Sequence, residues 1–469
     1  QGLKIYQEAI DCVTKTLGKG SVQLIGLYNQ MAMACLEQHE NDKAKGYLDT
    51  AQSLTNMIYG VDNITAILQQ MGMGQYYINR GDYHKAFELY SKIERAAVET
   101  FGADNHQLCV VYNILGDYHL GQYQFDRAKY YYDKLYEIVR TTYGDNHYFI
   151  AEPITKLGAY YMQIGDVYKG LEKVQQAYSI LSNHFDVGHK ATFLSQLGIC
   201  SAYIQLGEFD QAESVLTELS KAVENKLGKK NLMYSNVLQI KATLHQSKGE
   251  YNNGIKCIEE AIRITESIYG LHHSSTMSLY GQLSDMYLDI CNIPKSIEYN
   301  DIAIAIATNF YGKDNVVVMP FLLDKGQLYA SLNQFGDAHK VYDAVKSAYI
   351  SQYGDSCIQM NSVLMSEAQL LMQEGYTEQA LEILKSIETQ MILVYGKNSI
   401  QLCGVFNSLA NAYSGIMQFG EARKYYQKSL DIVKNSLGEY NVNCIVPLVG
   451  LGNICISEDV TGQQIMEAT

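Results

Sequence analysis

Two short stretches carry side chains that could do chemistry. His272-His273 sets two imidazoles side by side, and Gly18-Lys19-Gly20-Ser21 has the glycines, lysine and hydroxyl of a phosphate loop. Adjacent imidazoles hold a metal only when Cys, Asp or further His ligands stand at ligand spacing. None does here, so the pair reads as a cap or a solvated turn. A phosphate loop needs an earlier glycine at a fixed distance and a strand leading in, and both are missing. No nucleophile elbow, zinc-protease signature or dinucleotide fingerprint occurs either. The expectation is a protein without catalytic residues, cofactor or metal. Ten cysteines, from Cys12 to Cys455, are scattered with no C-x-x-C pair. They read as small core residues in a reducing compartment, which places the chain in the cytoplasm, in the cytosol or on the cytoskeleton.

What the elements must position is then a surface. The chain has 469 residues, more than one core needs, with 47% hydrophobic and 18% charged residues, the balance of a folded protein. Four prolines in the whole chain favour long helices and few irregular loops. A net charge of −14 opposes a phosphate backbone, so nucleic acid is not expected as a partner. No apolar run approaches the ~20 residues of a membrane span, and membrane insertion is not expected. Thirty-nine tyrosines with no tryptophan hint at an AT-rich genome.

Self-similarity decides the fold. An aromatic or leucine followed by glycine recurs at Leu17-Gly18, Tyr59-Gly60, Phe101-Gly102, Tyr143-Gly144, Leu227-Gly228, Tyr269-Gly270, Tyr311-Gly312, Tyr353-Gly354, Tyr395-Gly396 and Leu437-Gly438. The neighbouring interval is 42 residues throughout, apart from one double step whose midpoint is Phe185-Asp186, where the glycine is lost. A small residue occupies Ala32, Gly74, Gly116, Gly158, Cys200, Ala242, Ser284, Gly326, Ala368, Ala410 and Gly452. A second small column begins twelve residues later with Ala44, Ala86 and Ala128, and four residues beyond it lies a bulky apolar column that Asn300 breaks. Two small points per unit let two helices approach and cross. Glycine after the aromatic suits a left-handed helix C-terminus. Three residues later, Asn or Ser at Ser21, Asn63, Asn105, Asn231, Asn315, Ser399 and Asn441 suits the next N-cap. Pro153, Pro320 and Pro447 fall in the first turn of the following helix.

Each unit is thus helix A, a tight turn, helix B and a capped linker. Residues 25–444 frame ten tandem repeats. Residues 1–24 read as the second helix of a preceding repeat, and 445–469 as the first helix of a further one plus a tail. Neither end carries a polar capping helix, so the expectation is a segment of a longer protein, or ends covered by partners. The fold class is all-α, a right-handed α-solenoid of antiparallel helix pairs.

The order of columns at Gly74, Tyr77, Gly81, Ala86 and Tyr90 resembles the tetratricopeptide repeat. The 42-residue unit with a long helix B, and Tyr143-Gly144-Asp145-Asn146-His147 above all, is similar to kinesin light chain and nephrocystin-type arrays. Tyr148 stands where those arrays have proline, and their Asn-Asn-Leu-Ala signature survives in part as Asn407-Ser408-Leu409-Ala410. The resemblance covers essentially the whole chain. It implies that helix A lines a concave face and that the array binds peptides or whole proteins. One concave column would contain Asn29, Asn113, Gln239 and Asn407. A second would contain Gln75, Asp117, Asp285, Gln327, Gln369 and Asn411, and a third Asn79, Gln163 and Gln205. Amide side chains donate and accept, and so can bond an extended backbone. Relatives that clamp a terminal carboxylate do so with lysines and an arginine on helix A. The first column holds neither, so that ligand is not expected. Lys241, Lys325 and Glu367 replace leucine or methionine, and Lys325 with Glu367 could pair across adjacent repeats.

Three functions fit: a structural scaffold of a large cytoskeletal or ciliary (axonemal) assembly, a cargo or peptide adaptor of the kinesin light chain kind, or a regulatory array of a larger signalling protein. The first is favoured.

Overall fold

The structure is a computed structural model that describes residues 2–37, 40–271, 273–354 and 357–468, with side chains described to residue 458 except that of Glu37. The chain is all-α: consecutive helices pack in pairs as a solenoid, and no strand occurs among the described residues. It divides into two compact units. Unit 1 comprises residues 1–153 with 309–317, and unit 2 comprises residues 154–308 with 318–469.

A typical pair is helix A Cys109–Gly121 and helix B Phe125–Tyr143. Helix B buries Ala128, Tyr132, Leu135, Ile138 and Val139, an i, i+3, i+4 stripe that faces its own helix A and the next. The small and bulky columns are matched in several repeats, with Gly158/Val174 and Ala410/Tyr426 as exceptions. Gly74, Gly116 and Gly326 face Tyr90, Tyr132 and Tyr342, and a Cβ on Gly74 would stand 2.5 Å from the Tyr90 ring. Ala32, Ala242 and Ala368 occupy the glycine's place where Leu48, Ile258 and Leu384 replace the ring. Asn300 keeps its buried place by donating from Nδ2 to the Phe321 carbonyl at 3.0 Å, opposite Ser284, whose hydroxyl bonds the Ser296 carbonyl at 2.8 Å.

The linkers follow the expected capping except at Ser21, whose hydroxyl bonds the Gln23 side chain, and with two further differences. Asn63, Asn105, Asn231, Asn315, Ser399 and Asn441 accept a backbone N–H two or three residues on, but so do His147 and His273 through Nδ1. A neutral imidazole nitrogen is an acceptor like an amide oxygen. Five of these caps open a 3₁₀ turn ahead of helix A, as at His106–Leu108 and Tyr148–Ile150. His272 lies outside the described residues. The glycine that ends helix B is not left-handed helical: Gly144 has φ 86° and ψ 167°. That combination of positive φ and extended ψ is open essentially to glycine alone. Asp186 cannot adopt it, and helix B of that repeat stops early, at Ser182. Helix A of the second repeat also departs from the frame. It is broken at Gln70 into Ile64–Gln69 and Met71–Asn79, next to Gly72 and Gly74, whose helix propensity is poor.

Tight A–B turns take a left-handed residue, glycine at 81, 165, 207, 249 and 375. Tyr123, Cys291, Asn333 and Met417 adopt the same positive φ without being glycine. Met417 is 74% exposed and packs nothing, so Met417→Gly should stabilise unit 2 by about 0.5–1 kcal/mol. The check is the unfolding midpoint of that single variant.

Candidate functional site

The three helix A columns differ in access. In the second, Asp117, Asp285, Gln327, Gln369 and Asn411 are exposed and Gln75 is half-buried. In the first, Asn29, Asn113, Gln239 and Asn407 are half-buried. In the third, Asn79 and Gln163 are half-buried and Gln205 is exposed.

Many of these side chains also tie neighbouring repeats together. Asn29 and Gln69 exchange two amide hydrogen bonds, 2.9 and 2.6 Å. Asn113 Nδ2 donates to Glu152 at 2.8 Å, and its buried Oδ1 has no partner. Gln327 Nε2 donates to Ser366 at 3.2 Å, and Gln282 to Thr243 at 2.9 Å. Within each of these pairs the two residues lie 39 or 40 apart, on successive helices A. The result is a rung between successive repeats. Gln75 donates to Asn79, which reaches the Leu36 carbonyl. Asp117 and Asn411 accept the hydroxyls of the core tyrosines Tyr132 and Tyr426. The polar column therefore anchors the core from one side and meets solvent on the other. Sequence columns alone do not reveal this double duty, because the donor is a tyrosine fifteen residues away on helix B.

Asp285 and Asp324 occupy the same rung position, 39 residues apart, but neither can donate once ionised. Confinement by protein raises both carboxyls, to about 6 for Asp285 with Asp289 adding repulsion, and to about 7 for Asp324 with Asp285 adding repulsion. Asp289 accepts a hydrogen bond from Gln246 at 2.8 Å.

The expected pairing of Lys325 with Glu367 does not form. Lys325 bonds Asp301 at 2.7 Å and Glu367 bonds Lys346 at 2.9 Å. Each pair joins a helix A to the helix B before it, because those helices are in direct contact at these positions. Lys241 reaches the hydroxyl of Ser220 at 3.3 Å in the same way.

His119, buried at 2% exposure, stands in unit 1 in the column that Tyr77 occupies one repeat earlier. Its Nδ1 meets Gln124 Oε1 at 2.7 Å and its ring stacks on Tyr131 with Phe87 and Tyr118 edge-on. Burial pushes its pKa below the usual value. Below pH ~6.5 the unfolded chain takes up a proton that the folded chain refuses. Unit 1 should therefore lose stability between pH 7 and 5 relative to a His119→Phe variant. Parallel melting curves at the two pH values measure it.

Among the described residues, no group of three His, Cys, Asp or Glu side chains stands at metal-binding spacing and no helix is long and apolar enough to cross a membrane.

Family models of the tetratricopeptide repeat match residues 64–141 and 235–268. No curated protein matches. Among solved structures, the TPR-like repeats of a Podosopora anserina protein assigned to the kinesin light chains are 16% identical over 43% of this chain and 95% of that one, with a TM-score of 0.35. BtubC (BKLC) from P. vanneervenii is 15% identical over 49% and 92%, with a TM-score of 0.40. A Rap protein complexed with Competence and Sporulation Factor is 14% identical over 89% of this chain and all of that one, with a TM-score of 0.51, and shares the fold. The repeats support a protein-interaction scaffold. Residues 64–141 and 235–268 of this chain thus match the tetratricopeptide repeat, and the Rap protein shares its all-helical fold.

Proposed function

We propose that the chain is a non-catalytic scaffold whose repeats, 25–444, hold partner proteins along the exposed helix A column, and that it serves a large cytoskeletal or ciliary (axonemal) assembly in the cytoplasm. The carrying observation is the run of exposed polar side chains at Asp285, Gln327, Gln369 and Asn411, one per repeat at constant spacing on unit 2. Carboxamides at that spacing bond an extended segment through its backbone and tolerate many side-chain sequences. Neither a cofactor nor nucleic acid enters this reading: the net charge of −14 repels phosphate.

The test is retention in salt-washed axonemes or cytoskeletal pellets, for the wild type and for a Gln205→Arg/Gln369→Arg variant. Both glutamines are exposed, so the substitutions leave the core intact. The wild type should stay in the pellet and the variant should lose roughly tenfold of that retention, the order expected from disturbing a few contacts. A wild-type protein found wholly in the wash defeats the assembly reading. Cargo-dependent, transient retention would instead mark an adaptor.

A further inference from the structure

The helix-capping residues of the late linkers do a second job. In unit 2, Asn441 Oδ1 accepts the Asn443 N–H at 2.9 Å, while its Nδ2 donates to the Leu206 carbonyl at 2.9 Å and the Gln205 carbonyl at 3.5 Å. Ser399 caps in the same way and touches the Ile164 carbonyl at 3.5 Å, and Gln401 Nε2 donates to the Gln163 carbonyl at 3.1 Å. These four carbonyls belong to the last turns of helices Ala151–Ile164 and Lys190–Leu206, where carbonyl groups have no partner within their own helix. A side chain that both accepts and donates, an amide or hydroxyl, can therefore close the start of one helix and the end of another at once.

The spacing is constant. Ser399 to Ile164 and Asn441 to Leu206 are each 235 residues, and in unit 1 Asn315 Nδ2 reaches the Arg80 carbonyl at 2.9 Å across the same 235. Apolar contacts follow the polar ones. Ile400 lies against Gly165, where a Cβ would meet it at 2.6 Å, and Leu437 joins Val167, Leu171 and Leu206 in a buried cluster. Asn105, by contrast, caps only its own linker.

We propose that Ser399, Gln401 and Asn441 form a clasp that closes unit 2 on itself between repeats five to six apart, and that this clasp opens without melting the helices. Neighbouring pairs hold each helix through their own core, so the return contacts are the part that can let go alone. They fix the bend of unit 2 and hence the spacing of the polar column along it.

Two variants of the full chain test this. Asn441→Asp keeps the capping oxygen, removes the donor and sets a carboxylate against the Leu206 carbonyl. Gln401→Ala leaves the Ser399 cap untouched and removes only the long-range bond. Hydrogen exchange should quicken roughly tenfold in residues 203–208 for the first and in 161–166 for the second. Far-UV helicity should hold, and the radius of gyration should rise. Asn105→Asp, which alters a cap without a return contact, should leave both segments as in the wild type. If Asn441→Asp melts the protein instead, Gln401→Ala decides. Exchange in 161–166 at the wild-type rate in Gln401→Ala overturns the clasp.

Discussion

Gly116→Ala should destabilise unit 1 by up to about 2 kcal/mol, even though alanine is the better helix former. Helix propensity favours the substitution by about 1 kcal/mol, but an added Cβ stands 2.7 Å from Tyr132 Cδ1 in a place where neither side can give. Tyr132 is fully buried and its hydroxyl is anchored on Asp117 at 2.7 Å, so the ring cannot swing aside. Overpacking of this kind costs about 1–3 kcal/mol. The chain itself states the remedy. At Ala32, Ala242 and Ala368 the small column is alanine and the facing residue is Leu48, Ile258 or Leu384, while Ala410 stands sixteen residues before Tyr426, whose ring sits against Gly450 instead. Adding Tyr132→Leu to Gly116→Ala should therefore cost less than the sum of the two changes, with a coupling of about 1–2 kcal/mol. A double-mutant cycle read by chemical unfolding measures that coupling. Strict additivity would mean that the matched columns are coincidental.

Asp324→Asn should stabilise unit 2 at pH 8 by about 2 kcal/mol. The carboxyl, raised to about 7 beside Asp285, is costly to ionise in the folded protein. A raised carboxyl stabilises fully below its unfolded value and loses that contribution as pH climbs through the folded one. The wild type should then gain stability as pH falls from 8 to 5, while the variant's curve is flatter over that window. A full shift from 3.8 would be worth about 4 kcal/mol, and half is kept because water reaches this half-buried group. Asn at 324 can also donate to Asp285, completing the rung that Gln282 makes with Thr243. A pH-independent difference between the two proteins would place the cause elsewhere.

The fold was legible because constant spacing needs no knowledge of tertiary context. The glycine ends of helix B, the small columns and the Asn or Ser caps each have a local physical reason, although the glycines meet theirs with an extended ψ rather than the left-handed helical one. What was illegible required a second element. Gln70 breaks a helix that the frame alone leaves whole, and the lysine and glutamate at 325 and 367 find Asp301 and Lys346, which no column argument pairs with them. The candidate surface was half legible. Periodicity chose the columns but could not tell the exposed Gln369 from Asn29, which is engaged with Gln69. His147 and His273 cap linkers as asparagine does, a role that residue-type preferences understate.

The 235-residue return gives the unvarying repeat length a reason beyond local packing. In an open array a one-residue insertion disturbs one hairpin and its neighbours. Here it would also slide every distant partner out of alignment, so that Asn441 would no longer meet Leu206 nor Ser399 meet Ile164. Length changes inside the array are thereby penalised at two places at once, and loop grafts or duplications of a unit should be tolerated only where no return partner lies downstream.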